Sequence, residues 1–128
     1  MGKEYRDFDD LDVYQLSFEL ANWIYDLTID FPEEEKYGVI SQLRRAATSI
    51  GANLAEGYGR YHYKENVQFC RNARGSLCEL KHFMLFSLKR DYITEDILED
   101  FLQRYKDLQV KINNYIKSIG KRQSFDKV

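Results

Sequence analysis

Proline is nearly absent: Pro32 stands alone in 128 residues, and no Gly/Ser tract occurs. A many-stranded sheet needs repeated turn signals, so this scarcity points to long helices. Histidine is scarce too, with only His62 and His82, at different ends of one helical pattern. Metal sites draw on clustered His, Cys and carboxylate ligands, and no Glu-x-x-His pair of the di-iron bundle type occurs. No metal and no cofactor is therefore expected. No Walker loop or dinucleotide fingerprint is present. No apolar run approaches the ~20 residues that span a bilayer. The acidic segment Met1 to Asp10 lacks the apolar core of a signal peptide. These absences lead to the expectation of a cytoplasmic chain with no membrane partner.

Cysteine is limited to Cys70 and Cys78. On one helix, eight residues place them roughly 12 Å apart along the axis. A disulfide needs Cα atoms within about 7 Å, so both are expected reduced. Both fall in apolar seams, where the thiolate is disfavoured, and no activated Ser or Cys stands beside a base. No catalytic residue is assigned, and the chain is expected not to be an enzyme.

What remains is the balance of a soluble folded protein, 44% hydrophobic and 31% charged. The length suits one domain over residues 1–128. Lys and Arg number 19 against 21 Asp and Glu, a formal charge of −2. That total neither supports nor excludes a nucleic-acid partner, so local distribution must decide.

Period and punctuation predict four helices, at about 10–30, 37–56, 63–90 and 95–119, with a frayed tail over 121–128. The first carries two apolar stripes, Leu11-Tyr14-Phe18-Ala21-Tyr25-Thr28 and Val13-Leu16-Leu20-Trp23-Leu27-Phe31. Either this helix is central, or its second face meets another subunit; in a small bundle the second is favoured, with Trp23 losing exposure on association. Pro32 ends it. The second helix has the seam Ile40, Leu43, Ala47, Ile50, Leu54 and is expected to stop at Gly57. The third has Val67, Cys70, Ala73, Leu77, Leu80, Met84 and Leu88, widened by Phe83 to Phe86. Thr94 caps the fourth, whose seam is Leu98, Phe101, Tyr105, Leu108, Ile112, Tyr115 and Ile119, closed by Gly120. Four similar helices on short turns predict an all-α fold, an antiparallel up-down four-helix bundle.

Ala47, Gly51 and Ala55 share one face of the second helix, and Gly75 lies in the third. Close backbone contact between these small residues is expected to offset the roughly 1 kcal/mol cost of a mid-helix glycine. Asn53, Glu56, Arg74 and Glu79 lie nearest that crossing. Two carboxylates could serve acid/base work; the favoured alternative is a structural polar set that bonds across helices and fixes register.

The best surface candidate is Tyr58-Gly-Arg-Tyr-His-Tyr-Lys64. Aromatic planes stack on exposed bases and cations hold phosphates, which makes Arg60, Tyr61, Tyr63 and Lys64 nucleic-acid-binding candidates. Arg71 extends the face of Lys64, and Arg44 and Arg45 add charge on the second helix. The alternative is an interhelix turn whose tyrosines pack locally.

Ser41-Gln-Leu-Arg-Arg-Ala-Ala47, Asn53-Leu-Ala-Glu-Gly57, Gly59-Arg60 and Ala73-Arg-Gly-Ser-Leu-Cys-Glu-Leu80 resemble a bacterial four-helix-bundle family. Its members include proteins encoded in intervening sequences of 23S rRNA genes, and the accessory variability protein of diversity-generating retroelements is a relative. The similarity runs from about Phe8 to Ile119, and it departs at Gly51, where the family commonly has proline. The resemblance implies a homo-oligomer, a ring-shaped pentamer, without catalytic residues. In the retroelement branch it also implies binding to nucleic acid and a reverse transcriptase through a basic surface. The expected function is thus a non-enzymatic oligomer binding RNA or a nucleic-acid-processing protein, with a protein–protein scaffold as the alternative.

Overall fold

The computed structural model describes residues 7–126, with side chains described for residues 7–122. A 3₁₀ turn at Phe8–Asp10 leads into α1 (Asp12–Thr28); a second at Glu33–Glu35 precedes α2 (Val39–Tyr58), α3 (Tyr63–Lys89) and α4 (Glu95–Asp126). The described residues form an antiparallel up-down bundle without strands. The Thr94 hydroxyl accepts from the Ile97 amide at 3.3 Å and caps α4. Asp91 closes the α3–α4 turn in the left-handed region at φ 62°, while the Tyr92 amide reaches back to the Ser87 carbonyl at 2.9 Å. That pairing satisfies a terminal carbonyl of α3.

The predicted seams of α2, α3 and α4 supply the interior, where Leu43, Ile50, Leu54, Leu77, Leu80, Met84, Phe101, Leu108 and Ile112 are fully buried. In α1 the buried line is Val13, Ser17, Leu20, Ile24 and Thr28, which takes Val13 and Leu20 from the second predicted stripe, Thr28 from the first, and Ser17 and Ile24 from neither. Each stripe therefore gives part of itself to the core and leaves the rest at its flank. Leu16, Trp23 and Leu27 are half-buried, and Trp23 stacks on Phe101 of α4, centroids 6.4 Å apart, beneath the Arg104 guanidinium. Trp23 thus packs within the bundle and keeps part of its surface exposed. The other flank, with Phe18 and Tyr25, stays open.

Two helix ends differ from expectation. α2 passes through Gly57 to Tyr58, with Gly59 at its cap. α4 passes through Gly120, so residues 121–126 are helical and not frayed; Lys127 and Val128 lie outside the described residues. Ile119, buried one residue earlier, anchors the last turns, so the propensity cost of a single glycine does not end the helix.

The small-residue crossing also lies elsewhere. Gly51 faces α1, where an added Cβ would meet the Ser17 hydroxyl at 3.2 Å and the Tyr14 ring at 3.4 Å. Gly75 has nothing within 4 Å of such a carbon. The close approach of α2 to α3 is at Gly57, where the carbon would lie 2.8 Å from Phe69 Cβ and 3.1 Å from the Asn66 carbonyl oxygen. The α2 row facing α3 is Arg45, Ser49 and Gly57: Arg45 pairs with Glu79, the Ser49 and Ser76 hydroxyls bond at 2.9 Å, and Gly57 meets Asn66. Each turn gained on α2 is a turn lost on α3, as antiparallel register requires. Since Gly75 makes no packing contact, Gly75→Ala should stabilise the protein by about 1 kcal/mol. A urea midpoint equal to or below the parent's would contradict its placement.

The cysteines diverge as well. Cys70 is buried and its thiol is pushed up to about 11 by desolvation, while Cys78 is exposed, with its sulfur 3.7 Å from the Tyr105 hydroxyl. A thiol reagent should modify Cys78 in the native protein and Cys70 only after unfolding. The folded state keeps the Cys70 proton between the ordinary 9.0 and about 11, where the unfolded state loses it. Its contribution to stability is therefore full below pH 9.0 and falls as pH rises toward about 11. Urea midpoints that do not fall between about pH 8 and about pH 10.5 would count against this.

Candidate nucleic-acid interface

The α2–α3 turn exists because α2 stops at Tyr58 and α3 restarts at Tyr63, leaving four residues in between that carry Arg60 and Tyr61. Tyr61 is 91% exposed and touches His62 edge-on. Lys64 and Arg71 are exposed on the outer face of α3, without an ion pair among the described residues. Arg60 is more constrained: it pairs with Glu56 at 2.7 Å, lies 3.9 Å from Glu65 and rests over the Phe69 ring. The two carboxylates offset the Arg60 charge, in half-exposed pairs that are worth little in water.

Arg44 and Arg45 do not join this set. Arg44 faces α1, donating to the Thr28 hydroxyl at 2.9 Å and lying over the Tyr25 ring at 4.6 Å. Arg45 is held by Glu79 at 2.6 Å. Fourteen residues of α2 separate Arg44 from Tyr58, about 21 Å, and Arg60 lies beyond that end.

The structural polar set divides. Arg74 donates to Asn113 at 2.8 Å, which ties α3 to α4, and Glu79 with Arg45 ties α3 to α2. Asn53 donates to the Ser49 carbonyl and hydroxyl of its own helix, so it supports the Ser49–Ser76 bond from one side. Glu56 bonds to Arg60 one turn on, and crosses to no other helix.

Tyr63 turns inward, away from Tyr61, and lines a cleft of about 700 Å³ at this end of the bundle. Four chain segments meet there. The start of α1 gives Leu11, Asp12 and Val13; the end of α2 and its turn give Tyr58 and Arg60; α3 gives Tyr63 and Asn66; and α4 gives Lys111, Asn114, Tyr115, Ser118, Ile119 and Arg122. Burial raises the Tyr115 hydroxyl above its ordinary range, opposed by a hydrogen bond with Asn66 and by the Arg122 charge. The phenol therefore stays protonated and able to donate. Three cations and three tyrosines line the cleft with one carboxylate, Asp12, while Glu56 and Glu65 beside it offset Arg60 and leave Lys111 and Arg122 as its cations without an ion pair among the described residues. Of the α4 residues, Tyr115 and Ile119 read as seam and Arg122 as tail, while Lys111, Asn114 and Ser118 lie on a polar face that sequence reasoning does not assign. Lys111, Asn114 and Ser118, at spacings of three and four, were the available signal.

A second concavity of about 380 Å³ runs between α1 and α2, lined by Tyr14, Phe18, Ala21, Tyr25, Ala47, Gly51 and Ala55. The small face of α2 forms its floor, and Phe18 (57% exposed) and Tyr25 (41%) form its rim. Among the described residues no group of three His, Cys, Asp or Glu could hold a metal ion, and no helix is long and apolar enough to cross a membrane.

The fold is thus a four-helix bundle that gathers cations and tyrosines from separate segments at one end. The sequence matches the 23S rRNA-intervening sequence protein family over residues 9–114, and the chain belongs to that family. Among solved structures it is similar to a Bacteroides thetaiotaomicron protein of unknown function from the S23 ribosomal protein family. The TM-score is 0.72 at 22% identity, covering 82% of this chain and 98% of the other. At that identity the likeness concerns the fold. No curated protein matches the sequence.

Proposed function

We propose that this chain is a non-enzymatic, self-associating cytoplasmic bundle that binds single-stranded RNA at the end formed by the α2–α3 turn. One observation carries this: cations and aromatic rings from separate segments converge there, in a chain whose total charge is slightly negative. Cations neutralise phosphates while tyrosine faces accept unstacked bases. The free thiols suit a reducing compartment.

Fluorescence anisotropy with a labelled single-stranded RNA, at several salt concentrations, tests this. Affinity should fall linearly in a log–log plot against salt, by about 0.7 per phosphate contact. Lys64→Ala and Arg71→Ala should each flatten that slope by about 1. Tyr61→Ala should cost roughly 1–3 kcal/mol with little change in slope. No binding at low salt would sink the RNA reading and leave the scaffold.

The α1–α2 groove favours self-association. Its open apolar floor has a counterpart on the same chain: Leu85 and Phe86, 46% and 45% exposed, project from the far half of α3. A concave patch and a convex one on different faces make a heterologous contact between copies, the kind that closes into rings. Five is the subunit number that the family resemblance implies.

A further inference from the structure

We propose that the end cleft is a nucleotide pocket that takes one unstacked base and its phosphate out of a single-stranded RNA. This rests on the RNA reading above and gives that reading an inner site distinct from the exposed turn. Its volume, about 700 Å³, falls within the range of about 300–1,000 Å³ typical of small-ligand sites.

The lining separates by chemistry as a nucleotide does. Tyr58, Tyr63 and Tyr115, all half-buried, provide apolar ring surface inside. A base leaving its stack loses stacking that aromatic side chains can replace. Lys111 lies one turn before Tyr115 on α4 and Arg122 two turns after it, both exposed and about 16 Å apart along the axis, so they would meet the phosphates on either side of the inserted base. Asn114, between them, has an amide that can both donate to and accept from a base edge. Asn66 is already engaged, accepting from the Cys70 thiol at 3.7 Å and bonded to Tyr115, so it fixes the wall instead of reading the base. Asp12 beside the cations would repel a second phosphate at the α1 side and orient the strand toward α4. The cleft also depends on α4 continuing past Gly120, since that extra turn brings Arg122 to the rim.

The test uses the full chain and a single-stranded RNA oligonucleotide carrying 4-thiouridine. After irradiation, adducts are mapped to peptides by mass spectrometry. Adducts are expected on Tyr63 or Tyr115, and excess AMP should suppress them. Lys111→Ala and Asn114→Ala, at exposed positions, should melt like the parent yet cut both adduct yield and RNA affinity roughly tenfold. Adducts confined to Tyr61 and its outer-face neighbours, with affinity unaffected by Lys111→Ala and Asn114→Ala, would overturn the pocket while leaving RNA binding intact. Absence of RNA binding at low salt would overturn both. Adducts in the cleft that AMP does not suppress would also overturn it, because the site would then not hold a lone nucleotide.

Discussion

Gly57→Ala is expected to destabilise the protein by about 3 kcal/mol, at the upper end of ordinary overpacking. The added carbon would sit 2.7 Å from Asn66 Oδ1, 2.8 Å from Phe69 Cβ and 3.1 Å from the Asn66 carbonyl oxygen. Two of these three atoms belong to the α3 backbone or its first side-chain carbon, so no rotamer change relieves the clash. Helix propensity alone would favour alanine by about 1 kcal/mol. A net loss thus isolates the close approach of the two helices, and Gly75→Ala is the internal control of opposite sign. Urea denaturation measures both. A Gly57 variant as stable as its parent would mean that α2 and α3 do not touch there. The same substitution should loosen the end cleft, because Asn66 lines it and braces Tyr115.

Phe18→Glu is expected to convert an oligomer into a 15.3 kDa single chain without lowering its melting temperature. The ring lies on the rim of the α1–α2 groove and is largely exposed in the isolated bundle, so the core loses little when it goes. A carboxylate there would have to be desolvated by an incoming apolar ridge, which is costly without a partner charge. Phe86→Glu on the facing surface should act alike if copies meet groove to ridge. Multi-angle light scattering at micromolar concentration reads the result. A parent protein that is already monomeric would remove the assembly proposal, and an oligomer indifferent to both changes would place the interface elsewhere.

Part of this protein follows from local chemistry. The three- and four-residue spacing of Ile40 through Leu54, and of Leu98 through Ile119, is read along a single helix and needs no partner to be recognised. So are the Pro32 break, the Thr94 cap and the restart at Tyr63. Charge and aromaticity in the α2–α3 turn were equally visible, because turn residues are neighbours in sequence.

What stayed hidden is rotational and long-range. α2 carries two parallel rows of small or short side chains, Ala47-Gly51-Ala55 and Ser49-Asn53-Gly57, about 200° apart at a two-residue offset. Nothing in one sequence says which row meets which neighbour. Packing assigned the first to α1 and the second to α3, and so moved the critical glycine from Gly75 to Gly57. In α1 the same uncertainty hid a core line that draws Val13 and Leu20 from one stripe, Thr28 from the other, and Ser17 and Ile24 from neither. The end cleft is the extreme case. Leu11 and Arg122 are far apart in the chain, and only antiparallel packing brings the start of α1, the α2–α3 turn and the last turns of α4 to one place. Periodicity determined the helices and the class of fold, since hydrogen bonding and burial act within a turn or two. The tertiary structure alone decided which faces close, which stay open and which cations and rings meet at one end, since those depend on contacts between residues that the chain keeps far apart.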